Sequence, residues 1–94
     1  MNVVLGIDGG GTRTRASIRQ GQQVLAYAEN GSIKRLRVGA EAAEENLRAL
    51  LREVYAQAGV KAVSAASAGV ASATMPGVSE WIEAVFAEFS VARC

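Results

Sequence analysis

The 94-residue sequence contains no histidine, one cysteine and one proline. Cys94 alone cannot supply the ligands of a zinc or iron–sulfur site, so any metal bound by this chain is expected to be a hard cation held by oxygen. A lone cysteine also excludes an internal disulfide and is typical of a reducing compartment, which favours a cytoplasmic location.

An excess of charge of one sign is also missing, since ten basic and nine acidic residues leave a formal net charge of +1. This balance offers no electrostatic attraction to nucleic acid or to an anionic membrane. The apolar runs fall far short of the ~20 residues that span a bilayer. The first residues, MNVVLGID, lack the basic segment of a signal peptide. We therefore expect one domain or part of one, with neither nucleic acid nor membrane as partner.

Hydrophobic patterning predicts three strands at the start of the chain. The apolar run Asn2–Asp8 is typical of a buried strand, and alternation of polar and apolar residues predicts strands over Thr14–Arg19 and Val24–Ala28. The turn sequence QGQ separates the second strand from the third. These elements form a predicted meander, with a glycine-rich loop between its first two strands.

Helical spacing of apolar residues begins after this meander. It predicts one helix over 40–58, ended by Gly59, and a second helix from Pro76 to Phe89. A strand of small residues over 60–70 separates the two helices, and the terminal sequence SVARC resembles the start of another strand.

The order β-β-β-α-β-α-(β) predicts an α/β fold with a mixed sheet. With strands in the order 3-2-1-4-5, right-handed crossovers place both helices on one face and leave the opposite face bare. We therefore expect residues 1–94 to be an incomplete N-terminal lobe. A later helix or a second subunit, as in a homodimer, would cover the bare face.

The sequence DGGGT contains residues suited to binding an anion and a cation. Gly9, Gly10 and Gly11 let backbone N–H groups approach an anion closely. Hydroxyls of Thr12 and Thr14 and the charge of Arg13 add further donors. The Asp8 carboxylate suits Mg²⁺, so the pattern predicts a nucleotide-phosphate loop.

Two commoner phosphate motifs are absent from the sequence. A P-loop requires Gly-Lys, which this chain lacks, and a dinucleotide fingerprint opens a helix, whereas these glycines precede a strand. A flexible hairpin turn remains the alternative at this point, because hairpin loops also favour Asp and Gly.

The segments GIDGGGTRTRASI, GS and AASAGVA resemble the N-terminus of the BadF/BadG-type ATPase and N-acetylglucosamine kinase family. This family belongs to the actin-like ATPase and sugar kinase superfamily, which has a ribonuclease-H-like fold. The resemblance covers nearly the whole chain. It implies ATP-dependent phosphoryl transfer, with Mg²⁺ near Asp8 and phosphates near Gly10, Gly11, Thr12 and Arg13.

The resemblance also implies which residues face the sugar substrate. Ser32, in the loop before the first helix, matches a sugar-binding position, and Gly69 matches a small-residue turn that faces the substrate cleft. The catalytic aspartate and a second phosphate loop are expected beyond residue 94, so this chain alone should bind nucleotide weakly and should not turn over. Two alternatives remain: an ATPase that activates a partner enzyme by changing shape, and a non-catalytic lobe that associates through its bare sheet face.

Overall fold

A computed structural model describes residues 2–9, 12–33, 38–70 and 78–92, and four strands and two helices lie within these ranges. The strands are β1 (Val3–Gly9), β2 (Arg13–Gln20), β3 (Gln23–Gly31) and β4 (Ala65–Val70). The helices are α1 (Ala40–Ala58), between β3 and β4, and α2 (Val78–Glu88), after β4.

The sheet is mixed, with the strands in the order β3-β2-β1-β4. β2 runs antiparallel to both of its neighbours, and β4 runs parallel to β1. The predicted mixed sheet is therefore confirmed, and so are the first four positions of the predicted order.

The predicted fifth strand is represented in the described residues by one parallel bridge, between Val63 and Val91. The Val63 N–H donates to the Ser90 carbonyl at 3.3 Å, and the Ala92 N–H donates to the Val63 carbonyl at 3.1 Å. The rest of the order 3-2-1-4-5 stays a prediction, as does the ribonuclease-H-like assignment.

Helix α1 has the predicted bounds and ends as its sequence indicates. Gly59 adopts the left-handed conformation, with a φ of 69°. This geometry lets the N–H groups of Gly59 and Val60 satisfy the carbonyls of Ala56 and Tyr55, both at 3.2 Å. A residue with a Cβ would be strained at this φ, which explains why glycine ends the helix.

Two strand bounds differ from those predicted by more than one residue. β3 continues through Asn30 and Gly31, which resemble turn residues in the sequence, because β2 pairs with both of them. β4 begins at Ala65 rather than at residue 60. Pro76, the predicted start of the second helix, lies outside the described residues.

The apolar core formed by the described residues lies on one side of the sheet. Both helices contribute to the same cluster as the inward-facing strand residues, so both lie on that side, as predicted. The cluster includes Leu5, Ile7, Ala16, Ile18, Ala26, Ala28, Leu47, Leu50, Leu51, Val54, Ile82, Val85 and Phe86.

The opposite side of the sheet, here called the open face, is exposed. Val4, Val24 and Tyr27 are 39%, 52% and 49% exposed. Within the described residues, neither helix packs on this side. None of the described helices combines the length and apolar character needed to cross a membrane.

A polar cluster ties the two helices together at their surface. Arg48 pairs with Glu44 at 2.8 Å and also binds both carboxylate oxygens of Glu88, at 3.0 and 2.7 Å. The Trp81 indole N–H donates to the second Glu44 oxygen at 3.1 Å. Glu88 is exposed, yet it helps to fix α2 against α1.

Candidate functional site

The predicted site residues gather at one edge of the sheet. β1, β3 and β4 run in the same direction and β2 runs against them, so three carboxyl ends meet the amino end of β2. Asp8 and Gly9 end β1, Arg13 and Thr14 begin β2, Ser32 follows β3, and Gly69 lies next to the last residue of β4. Residues distant in the chain are therefore brought to one place by topology. Gly10 and Gly11 lie outside the described residues.

Asp8 is an exposed carboxylate between two neighbouring strands. It lies opposite Arg15 on β2 and opposite Gly69 on β4. A Cβ added at Gly69 would meet no atom of the described residues within 4 Å, so the space beside Asp8 on that side is open. The carboxylate is thus accessible to a ligand at the end of the strand.

At the β2 and β3 end of this edge, a depression of about 360 Å³ is lined by Thr12, Arg13, Glu29, Asn30 and Gly31. Thr12 and Arg13 are exposed, so their hydroxyl and guanidinium are available as donors. The Arg13 guanidinium lies 3.7 Å from a Glu29 carboxylate oxygen. Donors predicted for phosphate therefore share this depression with an acidic side chain.

Gly9 and Thr14 are placed differently from their exposed neighbours. They lie opposite each other in the ladder, and both are buried. Thr14 is fully buried, and its hydroxyl oxygen has no hydrogen-bond partner among the described residues. These two residues lie beneath the edge, and their predicted role toward phosphate stays a prediction.

Ser32 is also buried, at 3% exposure, and the next residue, Ile33, is a core residue at 1% exposure. The Asn46 side-chain amide on α1 donates to the Ser32 carbonyl at 2.8 Å, and the Asn30 amide donates to the Asn46 carbonyl at 3.0 Å. The segment that follows β3 is therefore anchored to α1. Asn46 went unnoticed in the sequence because an asparagine within a helical pattern carries no signal of a distant partner.

Sequence reasoning also missed the charged row formed by Asp8, Arg15 and Glu29. Arg15 lies opposite both acids, and its Nε donates to Glu29 at 3.0 Å. This hydrogen bond is the main cause of the raised pKa of Arg15, and nearby negative charge adds to it. Period-two alternation placed Arg15 on the polar face, but the partner depends on a register that the sequence does not reveal.

A second depression, of about 330 Å³, lies on the open face beside Asp8. Its floor lacks a side chain at Gly6, and Ser17 and Ser67 lie opposite Gly6 on the neighbouring strands. Tyr27, Arg15 and Asp8 line it as well. The candidate site at the sheet edge is therefore continuous with a polar strip of the open face.

Comparison with known proteins gives matches in structure only. No family profile matches the sequence, and no curated protein matches it significantly. The fold is similar to that of a protein named as a candidate N-acetylglucosamine kinase from Chromobacterium violaceum, with a TM-score of 0.63 and 25% identity over 99% of this chain. It is also similar to a ROK hexokinase from Thermus thermophilus, with a TM-score of 0.69 and 22% identity over 98% of this chain.

This chain spans 33% of the length of each of these two proteins. The likeness to the hexokinase, at 22% identity, concerns the fold alone. Both neighbours are actin-like sugar kinases, so the resemblance inferred from the sequence is confirmed at that level. The chain has the fold of the N-terminal part of an actin-like sugar kinase.

Proposed function

We propose that this chain is the N-terminal phosphate-binding part of an ATP-dependent kinase of the BadF/BadG type, which acts in the cytoplasm on N-acetylglucosamine or a related small sugar. One observation carries the proposal. Asp8, the only aspartate of the sequence, is exposed at the end of β1, next to the glycine-rich segment and to the open space at Gly69. A carboxylate so placed can meet a cation that arrives with a nucleotide.

The donor set fits Mg²⁺ brought with ATP and does not fit a metal held by protein alone. No group of three or more histidine, cysteine, aspartate or glutamate side chains suited to a metal occurs in the described ranges. Mg²⁺ is commonly bound through one or two carboxylates together with phosphate oxygens and water. Asp8 supplies one carboxylate, so cation binding here should depend on the nucleotide.

The chain's own residues would act by binding and orienting the phosphates. The exposed hydroxyl of Thr12 and the exposed guanidinium of Arg13 can donate to phosphate oxygens near Asp8. When bound, Mg²⁺ neutralises charge on the phosphates, as in other phosphoryl-transfer enzymes. The loop glycines, including Gly10 and Gly11, would let backbone N–H groups approach the same anion.

The sugar substrate is proposed from the neighbours' names together with the placement of Ser32 and Gly69 near Asp8. This chain spans a third of those kinases, and the general base and the closure that speed phosphoryl transfer are expected from other segments. Nucleotide binding, rather than turnover, is therefore the property to test on these 94 residues.

The experiment uses Mn²⁺ as a paramagnetic probe with the ¹⁵N-labelled chain, with and without ATP. We expect ATP-dependent broadening of the amide signals of Asp8, Thr12 and Gly69. Asp8→Asn removes the carboxylate charge and should abolish this broadening. Glu53→Gln, which neutralises an exposed carboxylate on α1, should leave it unchanged.

Two results would contradict the proposal. In one, broadening at the sheet edge is the same in Asp8→Asn as in the unaltered chain. In the other, broadening appears only on the acidic surface of α1 around Glu41, Glu44 and Glu45, which line a depression of their own. Either result would indicate that Asp8 does not bind the cation.

A further inference from the structure

Three charged residues form a continuous row across the open face. Glu29 lies opposite Arg15 on the neighbouring strand, and Arg15 lies opposite Asp8 on the strand after that. All three are exposed and belong to the same face, because directly opposite residues of paired strands point to the same side. A single guanidinium is therefore flanked by two carboxylates.

Arg15 is held by only one of these carboxylates. Its Nε donates to a Glu29 oxygen at 3.0 Å, and the Arg13 guanidinium lies 3.7 Å from the same oxygen. Between Arg15 and Asp8, both of which the structure describes, there is no ion pair. Glu29 therefore draws two arginines to the β3 side of the row and leaves the Asp8 carboxylate without an ion pair to any basic side chain that the structure describes.

This division matters because Arg15 lies within reach of Asp8. Side chains directly opposite on paired strands have Cβ atoms about 5 Å apart, and an extended arginine spans more than that distance. A guanidinium bound to Asp8 would compete with any cation for the same oxygens. Exposed ion pairs are worth only about 0–1 kcal/mol, so Arg15 would exchange readily if Glu29 were missing.

We infer that Glu29 is a positioning residue for the candidate cation site: it holds Arg15 away from Asp8 and so keeps that carboxylate available. The inference concerns side chains of this chain, and it rests on the proposed function only for the identity of the cation. Glu29 touches neither nucleotide nor metal in this role. This positioning effect passes through Arg15, whereas an effect of Glu29 on the neighbouring Arg13 is the same with and without Arg15 and cancels in a double-mutant cycle.

The test is a double-mutant cycle on Mn²⁺ binding in the presence of ATP. Glu29→Ala should weaken Mn²⁺ binding at Asp8 about two- to fivefold, the range set by the strength of an exposed ion pair. Arg15→Gln should bind as tightly as the unaltered chain or more tightly. In the Arg15→Gln background, Glu29→Ala should cause no loss of affinity.

The cycle separates positioning from a direct effect of charge. Glu29 and Asp8 are two strand spacings apart, about 9.6 Å, which exceeds the screening length of about 8 Å at 0.15 M salt. A loss of affinity that persists in the Arg15→Gln background would overturn the inference, as would unchanged binding in Glu29→Ala. Glu53→Ala, at an exposed position on α1, serves as the matched control.

A second readout requires no metal. In Glu29→Ala, nuclear Overhauser contacts of the Arg15 side chain should shift from β3 toward Asp8, and unchanged contacts would overturn the inference. If the unaltered chain shows no Mn²⁺ broadening at Asp8, the proposed function fails. The Arg15 contacts then still decide whether Glu29 holds this arginine.

Discussion

The Asn46 side-chain amide and the Ser32 carbonyl form a 2.8 Å hydrogen bond that joins α1 to the segment leaving β3. The Asn30 amide adds a second link, to the Asn46 carbonyl at 3.0 Å. Ser32 is buried, so its carbonyl depends on a protein partner rather than on bulk water. These two bonds fix the path of the chain between the sheet edge and the first helix.

Asn46→Ala should lower the free energy of unfolding by about 1–2 kcal/mol. Removing the hydrogen-bond donor of a buried acceptor costs about 1–3 kcal/mol, while the better helix propensity of alanine returns roughly 0.5 kcal/mol. Urea unfolding followed by the fluorescence of Trp81, the only tryptophan, measures this change. Glu53→Ala on the same helix should change stability by less than about 0.5 kcal/mol. Equal stability of the two variants would contradict the role of Asn46.

Gly31→Ala should be destabilising in the unaltered chain and neutral or stabilising in the Asn46→Ala background. A Cβ at Gly31 would lie 2.9 Å from the Asn46 side-chain nitrogen. Asn46 can move aside, but the movement breaks its bond to Ser32. Without that amide, alanine should gain roughly 0.5–1 kcal/mol over glycine in a strand. The same urea measurement on the four proteins tests this coupling, and additive effects would refute it.

Much of the fold could be predicted from the sequence because its signals are local. The bounds of α1 follow from apolar spacing and from the glycine at its end, both of which are confirmed. The mixed sheet follows from element order, and the bare face follows from the handedness of the crossovers. The end of β3 was not predicted, because Asn30 and Gly31 resemble turn residues and only pairing with β2 keeps them extended.

The candidate site was less predictable, because it depends on register. The register between β2 and β3 shifts at Ile18 and Arg19. A regular hairpin that continued from the Arg19–Val24 pair would place Arg15 opposite Ala28, whereas the bulge places it opposite Glu29. The pairing of Arg15 with Glu29 in the charged row therefore follows from one irregularity that carries no sequence signature. Topology brought Asp8, Ser32 and Gly69 to one edge, but their chemical roles stay predictions.

The ion pair between Arg48 and Glu88 should make the docking of α2 sensitive to acid. Hydrogen bonds from Arg48 are the main cause of the lowered pKa of Glu88. A group with a lowered folded-state pKa stabilises the fold above its ordinary value of 4.5 and loses that contribution as the pH falls through the lower folded-state value. The stability difference between the unaltered chain and Glu88→Gln should therefore be full at neutral pH and shrink below about pH 4.5.

Urea unfolding at several pH values checks this dependence, because titration of the other carboxylates affects both proteins equally. Glu83→Gln, an exposed carboxylate on the same helix, provides the control and should show a smaller difference. A stability difference between the unaltered chain and Glu88→Gln that stays constant from neutral to acidic pH would argue against the ion pair as its source.

The open face should promote self-association of the 94-residue chain. Val24 and Tyr27 are about half exposed on this side, and β3 is an edge strand. Lysine at both positions should lower the association seen by sedimentation velocity as concentration rises, because charge on an edge opposes strand pairing. The pair Ala42→Lys and Ala56→Lys adds the same charge to α1 and should have less effect. Equal behaviour of the two double variants would assign the change to net charge alone.

Gly69→Val should separate stability from ligand binding. A Cβ at this position meets no described atom within 4 Å, and valine favours strands, so the stability of the fold should hold or rise by about 0.5 kcal/mol. The valine methyls would instead occupy the open space beside Asp8, which lies opposite Gly69 on β1. ATP-dependent Mn²⁺ broadening at Asp8 should therefore weaken, while Ala65→Val at the far end of β4 should leave it intact. If Gly69→Val binds as well as the unaltered chain, then a bare backbone at this position serves the packing of the strand rather than the approach of a ligand.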